Sequence, residues 1–245
     1  MTPWPLDLSS GIDSRETRAR ATELKFLLSP GVANEVRDWA RTWLDADPNG
    51  SGPADDEYRT TSLYFDTEAF DVFHRRGSFG RAKYRVRRYG EERVIFLERK
   101  LRTSSLLAKR RTSIDLDRLT ALDEPFVSDN WPGAWFHGRL RARRLQPLVQ
   151  VSYRRMARVG QLEYGSARLT LDDELRAVSM DELGFHADAG REALPDRVIL
   201  EMKYRLAMPV MFKQLIEEFS IVPARVSKYR LALEAVRQEA VLTAA

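Results

Sequence analysis

Hydrophobic residues alternate with polar ones over much of the chain, which is the spacing of half-buried β-strands. Short polar turns separate these segments, which indicates antiparallel pairing. Helical spacing follows Pro30 and Pro209, two prolines placed as in a first helical turn, and is also found over 117–145 and 227–241. The predicted strands cover residues 23–28, 58–65, 81–89, 94–100, 109–116, 148–158, 161–164, 168–172 and 197–205. The pattern predicts one α+β domain with about eight antiparallel strands.

The polar face of these strands is too highly charged for an ordinary solvent-facing surface. Side chains two residues apart on a strand point the same way, so an acid and a base at that spacing share a face. Three predicted strands carry such a Glu-x-Lys triplet: Glu23/Lys25, Glu98/Lys100 and Glu201/Lys203. The opposite faces are apolar, as with Val198, Leu200 and Met202. The alternation therefore predicts a sheet with one apolar and one charged face.

Two architectures fit this alternation. An open sheet could pack its apolar face on helices and leave the charged face in solvent. Alternatively, the sheet closes into a barrel with a charged lumen and helices on the apolar outside. Periodicity alone fits both equally well.

Composition narrows the function classes. The 245 residues are 43% hydrophobic, which is enough for a packed core. The chain has no cysteine, which excludes disulfide scaffolds, thiol nucleophiles and cysteine-based metal sites. Its 3 histidines lie in separate regions, which argues against a histidine-rich metal site.

Charge is distributed unevenly along the chain. Lys and Arg number 40 and Asp and Glu 36, but residues 75–111 hold fourteen basic residues against three acids. Residues 139–168 hold eight arginines against one acid, whereas the first 74 residues are acidic. Such a concentrated positive field attracts a polyanion, which could be nucleic acid, a phosphorylated metabolite or polyphosphate.

The ends of the chain set the predicted domain boundaries. Residues 1–21 are polar and predict a flexible leader, and residues 22–241 predict a single domain. No apolar run approaches the roughly 20 residues of a membrane span. The first residues lack the apolar segment of a signal peptide, so the expected compartment is the cytoplasm.

Nine short motifs in order resemble the triphosphate tunnel metalloenzyme superfamily, and most closely its VTC domain, the polyphosphate-polymerase branch. The motifs are ELK at 23–25, SLYFDT at 62–67, KYRVRRYG at 83–90, FLERK at 96–100, KRR at 109–111, VSYRR at 151–155, ARLTLD at 167–172, ILEMK at 199–203 and SKY at 227–229. The resemblance implies an antiparallel eight-stranded β-barrel or tunnel with a charged lumen and helices packed outside.

The resemblance also implies site residues. The catalytic clamp on the transferred phosphates would be Lys25, Arg85, Arg87, Lys100, Arg155 and Arg168. Further phosphate ligands would be Lys109, Arg111, Tyr153, Lys203, Ser227 and Lys228. A Mn²⁺ or Mg²⁺ ion would be bound mainly by Glu201, with Glu23 and Glu98 as helpers.

The implied activity is metal-dependent phosphoryl transfer from ATP or another triphosphate to orthophosphate or polyphosphate. If water attacks instead, the same residues make a triphosphatase, and without turnover they make a polyphosphate-binding module. Nucleic acid is not expected as a partner, because a tunnel excludes a duplex. Some family members have membrane helices that this sequence lacks, so membrane delivery of product would need a separate membrane protein.

Other polar and aromatic residues are predicted to have structural roles. Asp66 and Asp172 lie near predicted strand ends, where aspartate most often shapes a turn. Tyr64, Tyr84 and Tyr89 are predicted to pack rather than to take part in chemistry.

Overall fold

The computed structural model describes residues 13–18, 21–52, 54–102, 107–163, 165–187 and 190–243. The strands are β1 Asp13–Arg18, β2 Ala21–Leu28, β3 Asp45–Ala46, β4 Glu57–Asp66, β5 Ala82–Tyr89, β6 Val94–Arg102, β7 Leu107–Asp115, β8 Gln146–Leu162, β9 Gly165–Ser179, β10 Arg191–Glu192 and β11 Val198–Arg205. The α-helices are α1 Pro30–Trp43, α2 Asp71–His74, α3 Ala134–Arg143, α4 Val210–Glu218 and α5 Lys228–Thr243. Two 3₁₀ helices span Gly77–Arg81 and Leu116–Leu122.

All strands belong to one antiparallel sheet with helices outside it. The order is β1-β7-β6-β5-β4-β8-β9-β11-β2, with β10 paired to β9 and β3 to β8. The predicted α+β antiparallel fold is confirmed with two differences. The sheet has 11 strands, because β1 and the two-residue strands β3 and β10 are added. Within the described residues no pairing joins β1 to β2, so the hydrogen-bonded ladder is open rather than closed.

The sheet nevertheless curls into a tunnel. Lys100 on β6 and Glu23 on β2 belong to strands on opposite sides of the sheet order. Their side chains meet, with Lys100 Nζ 3.0 Å from Glu23 Oε2. That contact requires the charged face to be concave, and we call this concave charged face the lumen. Of the two architectures that the alternation allowed, the structure has the charged interior.

The end of the predicted leader is part of the sheet. Asp13–Arg18 forms β1, which pairs antiparallel with β7 from Asp13 opposite Thr112 to Arg18 opposite Leu107. This stretch is therefore strand rather than flexible leader. Residues 1–12 and 19–20, which the leader prediction also covers, lie outside the described residues.

Two hydrophobic cores cover the apolar side of the strands. In one, Leu63, Val86 and Leu97 of β4, β5 and β6 cluster with Phe136 and Leu140 of α3. In the other, α1 and α4 pack on β2, β9 and β11. Burying one such side chain contributes roughly 1.5–3 kcal/mol, so these cores hold the curled sheet in shape. No helix in the described part of the chain is long and apolar enough to cross a membrane.

A buried carboxylate fixes where α5 begins. Asp66, at the end of β4, is fully buried and accepts hydrogen bonds from the backbone amides of Thr67, Val72 and Phe73. It also accepts one from the hydroxyl of Tyr229, in the first turn of α5. The predicted turn-forming role of Asp66 thus extends to a helix far along the chain. Tyr229 directly follows Lys228, so this bond holds the start of α5 against the lumen.

Candidate active site

Glu98 on β6 is surrounded by cations from the two neighbouring strands. The register places Arg85 of β5 and Arg111 of β7 directly opposite it. Its Oε2 lies 2.6 Å from Arg85, and its Oε1 lies 2.9 Å from Lys109 and 3.2 Å from Arg111. Burial alone would raise the pKa of Glu98, but Arg85, Lys109 and Arg111 outweigh it and hold the pKa well below its ordinary value. Glu98 is therefore a fixed anion that organises three cations.

A second cluster forms around Glu201 on β11. Lys25 of β2 lies opposite it in the register, and its Nζ is 2.9 Å from Glu201 Oε1. Lys228 at the start of α5 reaches the same oxygen at 3.1 Å, and Lys203 lies 3.3 Å from Oε2. Burial would raise the pKa of Glu201, yet Lys228, Lys25 and Lys203 keep it well below its ordinary value. The same register also places Glu23 opposite Lys203.

Glu23 and Glu201 share their cations. Lys25 Nζ lies 3.3 Å from Glu23 Oε1 while it contacts Glu201, and Lys203 reaches both carboxylates, at 3.8 and 3.3 Å. Burial lowers the pKa of Lys203 to about 8, although Glu23 and Glu201 both oppose the shift. The two carboxylates are thus near neighbours that are bridged by ammonium groups.

Arg155 is held by Asp172, a residue that was expected to shape a turn. Its Nε and Nη2 donate to the two Asp172 oxygens at 2.5 and 2.7 Å, and Lys228 lies 2.5 Å from the same carboxylate. The turn prediction for Asp172 was wrong because β9 continues beyond it to Ser179. One edge of the Arg155 guanidinium is therefore occupied by the protein itself. Asp172 is a member of the site that the sequence did not reveal.

Arg87 on β5 contacts hydroxyl groups instead of carboxylates. Its Nε donates to Ser62 Oγ at 3.1 Å and its Nη2 donates to Tyr153 OH at 3.2 Å. No carboxylate of the described residues lies within 4 Å of it, although it is buried. The Tyr153 ring also lies under Arg155 and Lys228, with centroid distances of 5.3 and 4.9 Å. Arg87 is thus a buried cation whose hydrogen-bond partners are hydroxyl groups rather than carboxylates.

Two tyrosines expected only to pack also face the lumen. Tyr64 OH accepts from Arg85 at 3.1 Å, and Tyr89 OH accepts from Arg111 at 3.1 Å. Burial would raise both pKa values. Arg111 and Arg87 instead lower the pKa of Tyr89 to about 7, and Arg85 and Arg87 lower that of Tyr64 to about 8. Tyr84, with the opposite side-chain direction, packs in the core as predicted.

Arg168 on β9 lies close to an aromatic group. Its Nη2 donates to Tyr58 OH at 2.7 Å and lies 2.8 Å from Asp47 Oδ2. Tyr58 in turn makes an edge contact with Tyr89, with ring centroids 5.7 Å apart. Asp47 and Tyr58 are further members of the site. They were not predictable from the sequence, because neither belongs to a pattern of alternating charged residues.

A row of three lysines lies along β5, β6 and β7. The register sets Lys83 opposite Lys100 and Lys100 opposite Lys109. Lys100 is 42% exposed, the largest value among the ion-paired lumen cations, so the tunnel opens to solvent here. Lys83 was not predicted as a site residue. Its Nζ donates to Ser227 Oγ at 2.8 Å, and no carboxylate of the described chain lies within 4 Å.

The structure brings the sequence-predicted residues together on this one face. Through the contacts above, it connects Lys25, Arg85, Arg87, Lys100, Lys109, Arg111, Tyr153, Arg155, Lys203, Ser227, Lys228, Glu23, Glu98 and Glu201, with Arg168 beside Tyr58. Their roles as phosphate or metal ligands stay predictions. For the charged residues on strands the signal was the period-two charge pattern, which Lys83 shares. Tyr153, Ser227 and Lys228 were implied by the family resemblance alone.

The carboxylate oxygens of the site suit a hard divalent cation only when a substrate supplies further oxygen ligands. Among the described residues, no group of three or more His, Cys, Asp or Glu side chains is placed to hold a metal ion. Glu23 and Glu201 are two neighbouring oxygen donors bridged by Lys25. Mg²⁺ and Mn²⁺ favour oxygen ligands and commonly use one or two carboxylates together with phosphates and water. The residues present therefore fit such an ion once a triphosphate supplies further oxygens.

Comparison with known proteins gives a family and a fold. The family model of the VTC domain matches residues 20–237. Among curated proteins no match is found. A candidate adenylate cyclase from Bacillus halodurans superposes with a TM-score of 0.52 at 15% identity, over 86% of this chain and 95% of that one. A protein of Pyrococcus horikoshii OT3 gives 0.46 at 13%, over 87% and 98%. A candidate adenylyl cyclase from Hippeastrum, described as having a dominant triphosphatase activity, gives 0.46 at 17%, over 86% and 93%.

Proposed function

This chain belongs to the VTC domain family, and on that premise we propose that it builds inorganic polyphosphate by metal-dependent phosphoryl transfer from a nucleoside triphosphate. The proposal rests on which cations of β5 have a carboxylate partner. Lys83, Arg85 and Arg87 point into the lumen at successive alternate positions, and only Arg85 of the three has a carboxylate partner within the described chain. A bound phosphate chain would supply the missing negative charge.

The arginines and lysines suit different tasks in this reaction. Arginine binds phosphate oxygens through a planar fork and stays charged, so Arg85 and Arg87 would fix the transferred phosphate. Lysine acts as a point charge with a flexible stem, so the row of Lys83, Lys100 and Lys109 would let a chain advance past it. Holding donor and acceptor in line is most of what phosphoryl transfer requires of a protein.

Glu201 and Glu23 would hold the divalent metal. When bound, Mg²⁺ or Mn²⁺ neutralises negative charge on the phosphate oxygens and so eases attack by another anion. The lysines that now bridge the two carboxylates would then be free to contact phosphate. Lys25 and Lys203 would therefore contact the carboxylates when no phosphate is bound, and the phosphate when it is bound.

The lumen carboxylates favour a phosphate acceptor over water. A residue that activates water works best with a pKa near the working pH. Burial alone would raise the pKa values of Glu23, Glu98, Glu201 and Asp172, but the surrounding cations hold all four below their ordinary values. A phosphate acceptor is already an anion and needs no such base. As far as the carboxylates are concerned, this favours polymerisation over hydrolysis.

The test is to incubate the protein with ATP and Mn²⁺ and to resolve the products by gel electrophoresis and phosphorus NMR. The expected product is a ladder of polyphosphate chains that requires the metal. Orthophosphate without chains would instead make the protein a triphosphatase. Tight polyphosphate binding without turnover would make it a binding module, and neither binding nor turnover would refute all three.

A further inference from the structure

Many arginines of the basic segments do not reach the lumen. Four of them, Arg75, Arg81, Arg141 and Arg144, are exposed on α2, α3 and the 3₁₀ helix between α2 and β5. We call these four residues the outer arginine surface. The triphosphate-binding role proposed above gives them no task.

Two of the helices that carry this surface, α2 and α3, each contact the third, the 3₁₀ helix. Arg143, in the last turn of α3, donates through Nη2 to Ser78 Oγ at 3.0 Å, and its guanidinium lies 4.0 Å from the Phe79 ring centroid. Arg75 packs so closely on Gly80 that a Cβ there would lie 2.9 Å from its carbonyl oxygen. The ends of α2 and α3 therefore both meet the 3₁₀ helix that carries Arg81.

The outer arginine surface has little negative charge. None of its four arginines has a carboxylate within 4 Å among the described residues, whereas the adjacent Arg76 pairs with Asp71 at 3.2 Å. Each arginine lies at a helix C-terminus, where the partial charge amounts to roughly half a unit at most. Net positive charge therefore remains, and it attracts a polyanion.

The outer arginine surface is continuous with the lumen. Arg81 precedes Lys83 by two residues at the start of β5, so their separation along the chain is about 7 Å. Lys83 belongs to the lysine row at which the tunnel opens to solvent. Along the chain, Arg81 therefore follows on from the lumen cations Arg87, Arg85 and Lys83 and lies on the exposed side of the lysine row.

We propose that the outer arginine surface binds the part of an inorganic polyphosphate chain that extends beyond the tunnel mouth. The inference rests on the proposed function for the nature of the chain, but it concerns a separate site. Arginine forks are suited to a flexible phosphate polymer because they grip oxygens without requiring bases or a fixed helical shape. Chains too short to leave the lumen would not reach this surface.

Chain length provides the test. The triple variant Arg81→Gln, Arg141→Gln and Arg144→Gln removes three charges from exposed positions. A control with the same loss of charge replaces Arg59, Arg197 and Lys213, exposed residues outside these three helices, by glutamine. Isothermal titration calorimetry with long-chain polyphosphate should show the affinity of the triple variant reduced by about tenfold or more, because three phosphate contacts are lost. Its affinity for tripolyphosphate should stay within about twofold of the parent, and the control should change neither.

The other possible outcomes would overturn either this inference or the proposed function. Equal losses for tripolyphosphate and long chains would overturn the inference, because the arginines would then act on the lumen or on the fold. An unchanged long-chain affinity would overturn it as well. Loss of binding to phosphatidylserine vesicles with polyphosphate binding unchanged would also overturn the inference, because it would assign the surface to a lipid membrane. If the parent protein binds neither polymer nor tripolyphosphate, it is the proposed function that fails.

Discussion

Lys83 shows how the lack of a carboxylate partner changes the pKa of a lysine in the lumen. Burial lowers its pKa to about 8, and Lys25 and Lys100 act in the same direction against the opposing influence of Tyr64. Arg85 and Ser227 are the other groups that face it. This half-buried lysine, with no carboxylate of the described residues within 4 Å, is therefore expected to lose its proton just above neutral pH.

This predicts pH-dependent binding of tripolyphosphate. As the pH rises from about 7 to about 9, Lys83 loses its charge and Tyr64 gains one, so the affinity should fall. Because the bound anion raises the pKa of Lys83, binding near pH 8 should take up protons, which calorimetry in buffers of different ionisation enthalpy measures. Lys83→Met should make this profile shallower without removing it, because Lys203, Tyr64 and Tyr89 titrate in the same range. Lys213→Met, at an exposed position, should leave the profile unchanged. Equal profiles for the parent and Lys83→Met would refute the assignment.

A prediction for Glu201 separates metal binding from phosphate binding. Glu201→Gln keeps the shape of the side chain but removes the charge that three lysines now contact. Polyphosphate affinity without metal should hold or rise, because a repulsive anion is gone. Metal-dependent turnover should fall by orders of magnitude, since each ~1.4 kcal/mol lost from the transition state is tenfold in rate.

Arg85→Ala provides the contrast to Glu201→Gln. A phosphate clamp acts in the ground state and the transition state, so both affinity and turnover should drop. Steady-state kinetics with titrated Mn²⁺ distinguish the two variants. Turnover of Glu201→Gln at the parental rate in the same metal would mean that the metal site must be sought at Glu23 or Glu98.

At the scale of single elements, the contact between Asp66 and Tyr229 determines how α5 meets the lumen. Tyr229→Phe removes one of four hydrogen bonds to a buried carboxylate. The free energy of unfolding in urea should fall by about 1–3 kcal/mol. Tripolyphosphate affinity should fall as well, because Ser227 and Lys228 adjoin the released residue. Tyr84→Phe, in the same core but with no side-chain hydrogen bond in the described chain, should change both quantities little. If the two variants behave alike, Asp66 has no positioning role.

The elements themselves were largely predictable from the sequence. The period of two identified which residues share the charged face, and Ser29 with Pro30 fixed the start of α1, where Ser29 accepts from the amide of Val32. Which side chains pair with each other across neighbouring strands could not be predicted in the same way. Asp172 was taken for a turn residue because the pattern of β9 fades after it, and only the pairing with Arg155 across β8 reveals its role. Periodicity gives the direction of a side chain but not the strand that lies beside it.

At the scale of the whole molecule, the lumen is a concentration of like charges that the fold must hold together. Cations outnumber carboxylates there, so the empty protein bears repulsion that a bound polyanion relieves. Tripolyphosphate at a hundredfold excess over its Kd should raise the Tm by about 5 °C or more. The shift should shrink steeply when sodium chloride is raised about tenfold. Citrate at equal ionic strength serves as the control, and an equal shift with citrate would argue against specific phosphate binding.

Family and fold were also predictable at this scale. Nine short motifs in one order pointed to the VTC domain, and the match over residues 20–237 confirms that assignment. The open ladder between β1 and β2 was not predictable, because strand closure depends on backbone positions that side-chain patterns do not report.

The sheet order also dictates when the tunnel can form during synthesis. Lys25 of β2 takes its place opposite Glu201 of β11, and β1 pairs with β7. An emerging nascent chain therefore carries its first two strands unpaired until their distant partners leave the ribosome, and Lys228 follows later still. Pairings of such wide sequence separation make folding slow. The Glu201 cluster can therefore form only after β11 and the start of α5 have been synthesised, so a chain released before that point would lack this cluster.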